Sequence, residues 1–238
     1  MEPLIVAGPA VQADAVLTWD LEEWTGRLEL LSAQIDLATF RPWAEGEPLA
    51  AGSLTLEGGL DLDSGGATGG FDLRVVGLAV RGHSLGEADG SVVIDPTSVR
   101  VRLDGSGWAA EGGIGLGEDL PLQATLSLDR LILEPSLGEL AGVWTRLSGG
   151  LEAVGPLARP EEIEVEGSLS EAVLGLGAHR VELAEAMRLR YASGQLALDG
   201  VRLVGPDSDF EARLRYDTGT GGIEGAGRGH FALALVSA

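Results

Sequence analysis

The residues that could do chemistry in this chain are few and badly placed for it. The three histidines, His83, His179 and His230, lie far apart in unrelated local contexts, and there is no cysteine. A zinc site needs three or four nitrogen or sulfur ligands brought together, and no such set is visible. Without cysteine, thiolate nucleophiles and disulfides are both excluded. Asp61-Leu-Asp63-Ser-Gly65 and Asp207-Ser-Asp209 space carboxylates as calcium loops do. Both lack the third ligand and the closing glutamate of an EF-hand, and neither matches the calcium-binding nonapeptide rows. They read as turns or solvated edges. The cluster Gly65-Gly-Ala-Thr-Gly-Gly70 contains no Gly-Lys-Ser/Thr and precedes no helical pattern, so it is not a phosphate cradle. The expectation is a protein without catalytic residues, metal or cofactor.

What does recur is a spacing of apolar residues: a glycine, any residue, then two apolar residues one apart. It occurs at Gly26-Arg-Leu28-Glu-Leu30, Gly52-Ser-Leu54-Thr-Leu56, Gly58-Gly-Leu60-Asp-Leu62 and Gly69-Gly-Phe71-Asp-Leu73. Further copies are Gly90-Ser-Val92-Val-Ile94, Gly112-Gly-Ile114-Gly-Leu116, Gly194-Gln-Leu196-Ala-Leu198 and Gly229-His-Phe231-Ala-Leu233. Strand side chains alternate between two faces, so each copy places its large apolar groups on one side. Other runs alternate without the glycine. Val99, Val101 and Leu103 interleave with Arg100, Arg102 and Asp104, and Leu126 and Leu128 with Ser127 and Asp129. Ile163 and Val165 interleave with Glu164 and Glu166, and Phe210 and Leu214 with Glu211, Arg213 and Arg215. Period-two patterns of this kind mean strands with one wet face, hence antiparallel sheet.

Composition agrees. Thirty-seven acidic residues against sixteen basic ones give a formal charge of -21, and every basic residue is arginine. Such a charge repels nucleic acid and anionic membrane surfaces. Hydrophobic residues nevertheless make up 45% of the chain, more than an acidic disordered chain carries, so the protein is expected to fold. The two properties coexist if segregated by face. No run approaches the roughly 18 apolar residues of a helical membrane span, and Met1-Glu-Pro-Leu-Ile-Val lacks a basic leader region. As given, the chain reads as soluble and as a piece of something longer.

Glycine- or proline-bearing breaks at Ser64-Gly-Gly, Gly82-His-Ser, Asp95-Pro-Thr, Asp104-Gly-Ser-Gly and Gly205-Pro-Asp separate the runs, as in a meander of hairpins. The glycines heading the strands suggest places where a sheet bends. Two stretches break the strand period. Leu137, Leu140, Trp144 and Leu147 fall at helical spacing, and Asp36 to Trp43 reads as a helical turn with Asp36 as N-cap and Pro42 at its end. Gly52, Leu54, Gly58 and Leu60 align with Gly149, Leu151, Gly155 and Leu157 at a constant offset of 97 residues. The expected organisation is a first repeat over residues 1–127 and a second over 128–238, with one sheet through both. Residues 1–27 are expected to be irregular or to form an edge.

The arrangement of strand, short Leu/Trp helix and small-Gly-x-Leu-x-Leu-x-Gly-x-Leu resembles the TamB/AsmA-like superfamily of bacterial envelope proteins. The stretches that carry it are Leu147-Ser-Gly-Gly-Leu-Glu-Ala-Val-Gly-Pro-Leu-Ala-Arg-Pro160 with Val165-Glu-Gly-Ser-Leu169, and Ile35-Asp-Leu37 with Pro48-Leu-Ala-Ala-Gly-Ser-Leu-Thr-Leu56. The resemblance implies a long antiparallel sheet folded into an open U-shaped trough with an apolar inside. Such a trough lies in the periplasm and carries phospholipid between membranes or assists outer-membrane protein assembly. An outer-membrane barrel protein and an inner-membrane anchor outside this chain would be its partners. Neither a membrane anchor nor a docking domain stands out in this sequence, so the expectation is a segment of a trough.

Physics points the same way. An apolar sheet face must be covered by a second layer, by closure or by a ligand, and the helical content expected here is too small to cover it. An open face marks a binding surface. Burying a 16-carbon acyl chain at ~0.8 kcal/mol per CH₂ gives on the order of 13 kcal/mol before ordering costs. The residues expected to line the face are Leu54, Leu56, Leu60, Leu62, Phe71, Leu73, Val92, Ile94, Val99, Val101, Leu103, Leu126, Leu128, Ile163, Val165, Leu196, Leu198, Phe210 and Leu214. Trp24, Trp43, Trp108 and Trp144 read as aromatic filling of the core. Arg100/Arg102, Arg188/Arg190 and Arg213/Arg215 read as partners of acids across the polar face. The competing class is a structural or adhesive all-β sandwich or stalk with a closed core, whose inner faces alternate in the same way.

Overall fold

The computed structural model describes residues 4–7, 11–39, 50–80, 83–133, 143–176 and 179–230. Within them the strands form an antiparallel sheet whose hydrogen-bonded order follows the chain. The chain divides into two compact units, Met1–Ser106 with Glu111–Glu118, and Gly107–Ala110 with Asp119–Ala238.

The first unit contains β1 (Leu4–Ala7), β2 (Val11–Asp20), β3 (Thr25–Asp36), β4 (Ala50–Asp63), β5 (Gly66–Val80), β6 (His83–Asp95) and β7 (Ser98–Gly105). Residues of β8 (Trp108–Gly115) are divided between the units. The second unit contains β9 (Pro121–Leu133), β10 (Val143–Pro156), β11 (Glu164–Leu176), β12 (His179–Leu183), β13 (Met187–Ala192), β14 (Gln195–Gly205), β15 (Ser208–Asp217) and β16 (Ile223–His230). One departure from simple hairpin order occurs here. β11 pairs with β12 through Val173–Leu176 and with β13 through Val165–Leu169. β14 then pairs with both. β12 and β13 thus share one strand's place, interrupted at residues 184–186. The Ala184 N–H, donating to the Arg202 carbonyl at 2.8 Å, carries the ladder across the gap.

Turn chemistry explains the hairpins. Between β13 and β14, Ser193 and Gly194 have φ of 51° and 76°, the left-handed pair of a mirror-type turn whose twist matches the flanking strands. Between β14 and β15, Pro206 sets the first central position and Asp207 takes φ of 55° at the second, as a type II turn requires. The expected helical turn is a 3₁₀ turn over Leu37–Thr39. Asp36 caps it, its Oδ1 accepting from the Ala38 N–H at 2.9 Å. Pro42 and Trp43 lie outside the described residues. A second 3₁₀ turn, Pro160–Glu162, precedes β11.

The helix expected over Leu137–Leu147 is corrected where it can be seen. Leu137 and Leu140 lie outside the described residues, but Trp144 and Leu147 belong to β10. Thr145 is paired with Leu133 on one side and Leu174 on the other. Val143, Trp144 and Thr145 favour strand by their branching and aromaticity. Apolar residues at three- and four-residue intervals over so short a window do not separate the two periods.

The 97-residue echo has a backbone counterpart. Gly52 and Gly149, related by that offset, have φ of +127° and +159°. Each sits at a shift of register with the following strand, Ala51/Ser53 in β4 against β5 and Ser148/Gly149 in β10 against β11. These are bulges, and a bulge locally increases the bend of a strand. A Cβ on Gly52 would lie 2.9 Å from the carbonyl oxygens of Val76 and Gly77. Gly52→Ala should therefore cost about 1–3 kcal/mol, read as a lower urea midpoint at unchanged m-value.

Candidate functional site

Residues directly opposite in an antiparallel ladder share a face, so register alone shows what the apolar side of each unit contains. In the first unit one row runs Leu28–Leu60–Gly69–Ile94–Val99 across β3 to β7. The next runs Leu30–Gly58–Phe71–Val92–Val101, and a third Ala33–Leu56–Leu73–Gly90–Leu103. Ile35–Leu54–Val75–Ala88 follows. Leu62 stands between Gly26 and Ala67. Every first-unit residue expected to line the face falls in these rows.

The second unit repeats the pattern. Leu126–Leu151–Gly167–Leu189–Leu198–Leu214–Gly225 forms one row from β9 to β16. Ala124–Ala153–Val165–Tyr191–Leu196–Tyr216–Ile223 forms the next. Leu128 stands opposite Gly149, and Phe210 opposite Leu203 and Gly229. Ile163 lies just before β11 and is half-buried, in step with Val165.

Of the nineteen expected lining residues, eighteen are half-buried. Only Leu73, at 7% exposure, is fully buried. Each of the eighteen therefore keeps part of its surface accessible. Glycine shapes the surface as well. A Cβ on Gly90 would meet the Arg102 carbonyl and the Leu103 side chain, and one on Gly26 would meet the Trp19 indole. In these copies of the phrase the glycine sits on the apolar face itself, leaving room for its neighbour to lie down.

Leu28, Leu30, Leu151 and Tyr216 belong to patterns read from the sequence but lie outside the expected lining, and Val75, Leu189 and Tyr191 were not singled out at all. The signal for Leu189 was present, since it stands between Arg188 and Arg190. The tryptophans divide. Trp108 is 7% exposed and Trp144 lies against Gly175, but Trp24 sits in the β2–β3 turn at 69% exposure, so it fills no core. Trp43 lies outside the described residues.

The opposite face carries charge. Arg27 reaches Asp61 at 2.9 Å, Arg190 reaches Glu166 at 3.4 Å and Arg228 reaches Glu211 at 2.7 Å. Arg100 pairs with Asp95 at 2.8 Å. Arg102 binds Asp104 on its own strand at 2.9 Å rather than an acid across the ladder. Arg188, Arg213 and Arg215 have no ion pair among the described residues. Exposed pairs of this kind add little to stability, because water screens them and their side chains lose freedom. The concavities of the second unit open on this charged side. One of about 700 Å³ is bounded by polar residues such as Thr125, Glu152, Glu166, Arg188 and Asp199, and also touches Leu126, Leu151, Gly167 and Leu189 of the neighbouring apolar row.

Three aspartates are held below the usual carboxylate range: Asp104 by its hydrogen bond to Arg102, Asp209 by that to Arg202, and Asp217 by the Thr220 backbone N–H. A carboxylate with a depressed folded pKa stabilises above its unfolded pKa of ~3.9, and this is lost as pH falls through the lower folded value. Unfolding midpoints in urea should therefore fall as pH drops from about 4 toward 2. Asp217→Asn should show a smaller part of that acid-dependent loss.

Among the described residues no three carboxylate or imidazole groups are arranged to hold a metal ion, and no helix is long and apolar enough to cross a membrane. The candidate site is the apolar face. Comparison with protein-family models, curated proteins and solved structures finds no match to this chain.

Proposed function

We propose that the chain is a non-catalytic, hydrophobic-groove protein that binds acyl chains of phospholipid or a similar lipid along the apolar face of its sheet. The observation that carries this reading is the half-burial of nearly the whole lining. A closed core of the same residues would bury most of them completely. A smooth Leu, Val and Gly lining holds hydrocarbon without polar recognition, so a chain can slide along it. The resemblance to TamB/AsmA-like proteins extends the reading to the bacterial envelope. There the sheet would form part of an open trough, with phospholipid passing between membranes or outer-membrane proteins being assembled.

The test is lipid extracted from purified protein and identified by mass spectrometry, together with titration of a fatty acid carrying a fluorophore on its tail. Acyl lipid should co-purify and the probe should bind. Leu198→Glu puts a charge in the middle of a lining row, where an acyl chain would have to desolvate it. Probe affinity should fall at least tenfold while the circular dichroism spectrum stays that of the parent. Absence of both co-purified lipid and probe binding overturns the reading in favour of a structural module.

A further inference from the structure

The lining is mostly hydrocarbon, and its two phenols stand together at one end of the second unit. Both tyrosines of the chain stand in a single cross-strand row, Tyr191 opposite Leu196 and Leu196 opposite Tyr216. They are two strands apart, about 10 Å, with Leu196 between them. All three are half-buried. Tyr191 and Tyr216 each lie one residue from the end of their strand, beside the β13–β14 and β15–β16 turns. In the first unit the end pair Ile94 with Val99 carries no polar side-chain atom, and the Leu62 row ends on the Trp19 indole beyond Gly26.

The two turns are joined. The Thr218 N–H and the Thr218 hydroxyl both donate to the Gly194 carbonyl, each at 2.8 Å. Asp217 holds the second turn, its Oδ1 accepting from the Thr220 N–H at 2.8 Å and its own N–H donating to the Gly222 carbonyl at 2.9 Å. The tyrosines are thus mounted on a braced rim. Neither hydroxyl is hydrogen-bonded to any other described residue. A phenol with its ring on an apolar surface and its hydroxyl at the margin suits a boundary between hydrocarbon and water.

We propose that Tyr191 and Tyr216 donate hydrogen bonds to the ester carbonyl oxygens of a bound acyl lipid, fixing its head end at this rim while the tails lie along the leucine rows. This rests on the acyl-chain reading above and adds the class of ligand, an acyl ester, and its direction. A neutral ester fits better than a free carboxylate, because Asp217 beside Tyr216 carries its own negative charge.

The test uses two probes with the same fluorophore on a 16-carbon tail, one ending in a methyl ester and one in a plain methyl group, against the full chain and the Tyr191→Phe/Tyr216→Phe variant. The parent should bind the ester more tightly than the alkane. The double variant should lose about tenfold in ester affinity, the sum of two ordinary hydrogen bonds, with alkane affinity unchanged. Unchanged ester affinity in the variant overturns this proposal and leaves the acyl-chain reading standing. Equal loss of both probes also overturns it, since packing rather than hydrogen bonding would then be the tyrosines' role. If neither probe binds the parent, both readings fall together.

Discussion

The constraint on which everything else here depends is the alternation that an antiparallel ladder imposes. Once two strands are paired, every residue's face is decided, and a shift of one residue exchanges the faces. The chain obeys this in strand after strand, so rows five and seven positions long contain little but Leu, Val, Ile, Ala and Gly. Bulges at Gly52 and Gly149 shift the register without spoiling the sorting, because the pattern on each side of them is adjusted to match.

The sorting has an energetic consequence. Few side chains are fully buried, among them Ala33, Val75, Ala88, Val173 and Val181, so little stability comes from a sealed interior. It comes from the hydrogen-bonded ladder and from partial burial shared among many neighbours on one face. The ion pairs opposite are exposed and individually weak. Their arrangement lets a strongly acidic surface keep most of its described arginines close to carboxylates without removing either from water.

Much of this was legible in the sequence. The pure alternation from Ser53 to Asp63 or from Phe210 to Tyr216 identifies strand, face and lining together, since local period and tertiary exposure coincide there. Where they do not coincide, reading fails. Trp144 and Leu147 have helical spacing within a short window but strand partners on both sides. Residues 184–186 contain neither glycine nor proline, yet divide a strand, because β14 can bond to two short strands as well as to one long one. Tyr191 and Tyr216 each show their face locally, but their meeting on one row is set by β14 lying between them. Register across three strands is a long-range property that no window of sequence contains. The repeated glycine was half understood. It marks a bend, as its backbone angle at Gly52 shows, and elsewhere it is a gap in the lining.

Strand order that follows chain order has a consequence for how such a protein lives and dies. Each hairpin rests chiefly on the one before and the one after, so stability is nearly a sum of neighbour terms along a line, as in solenoids. Most pairings join strands adjacent in the chain, which keeps contact order lower than in all-β folds with crossing connections. A pull on the ends would peel the protein hairpin by hairpin rather than shear it at once. Lengthening or shortening it by whole hairpins would leave the remaining joints unaltered.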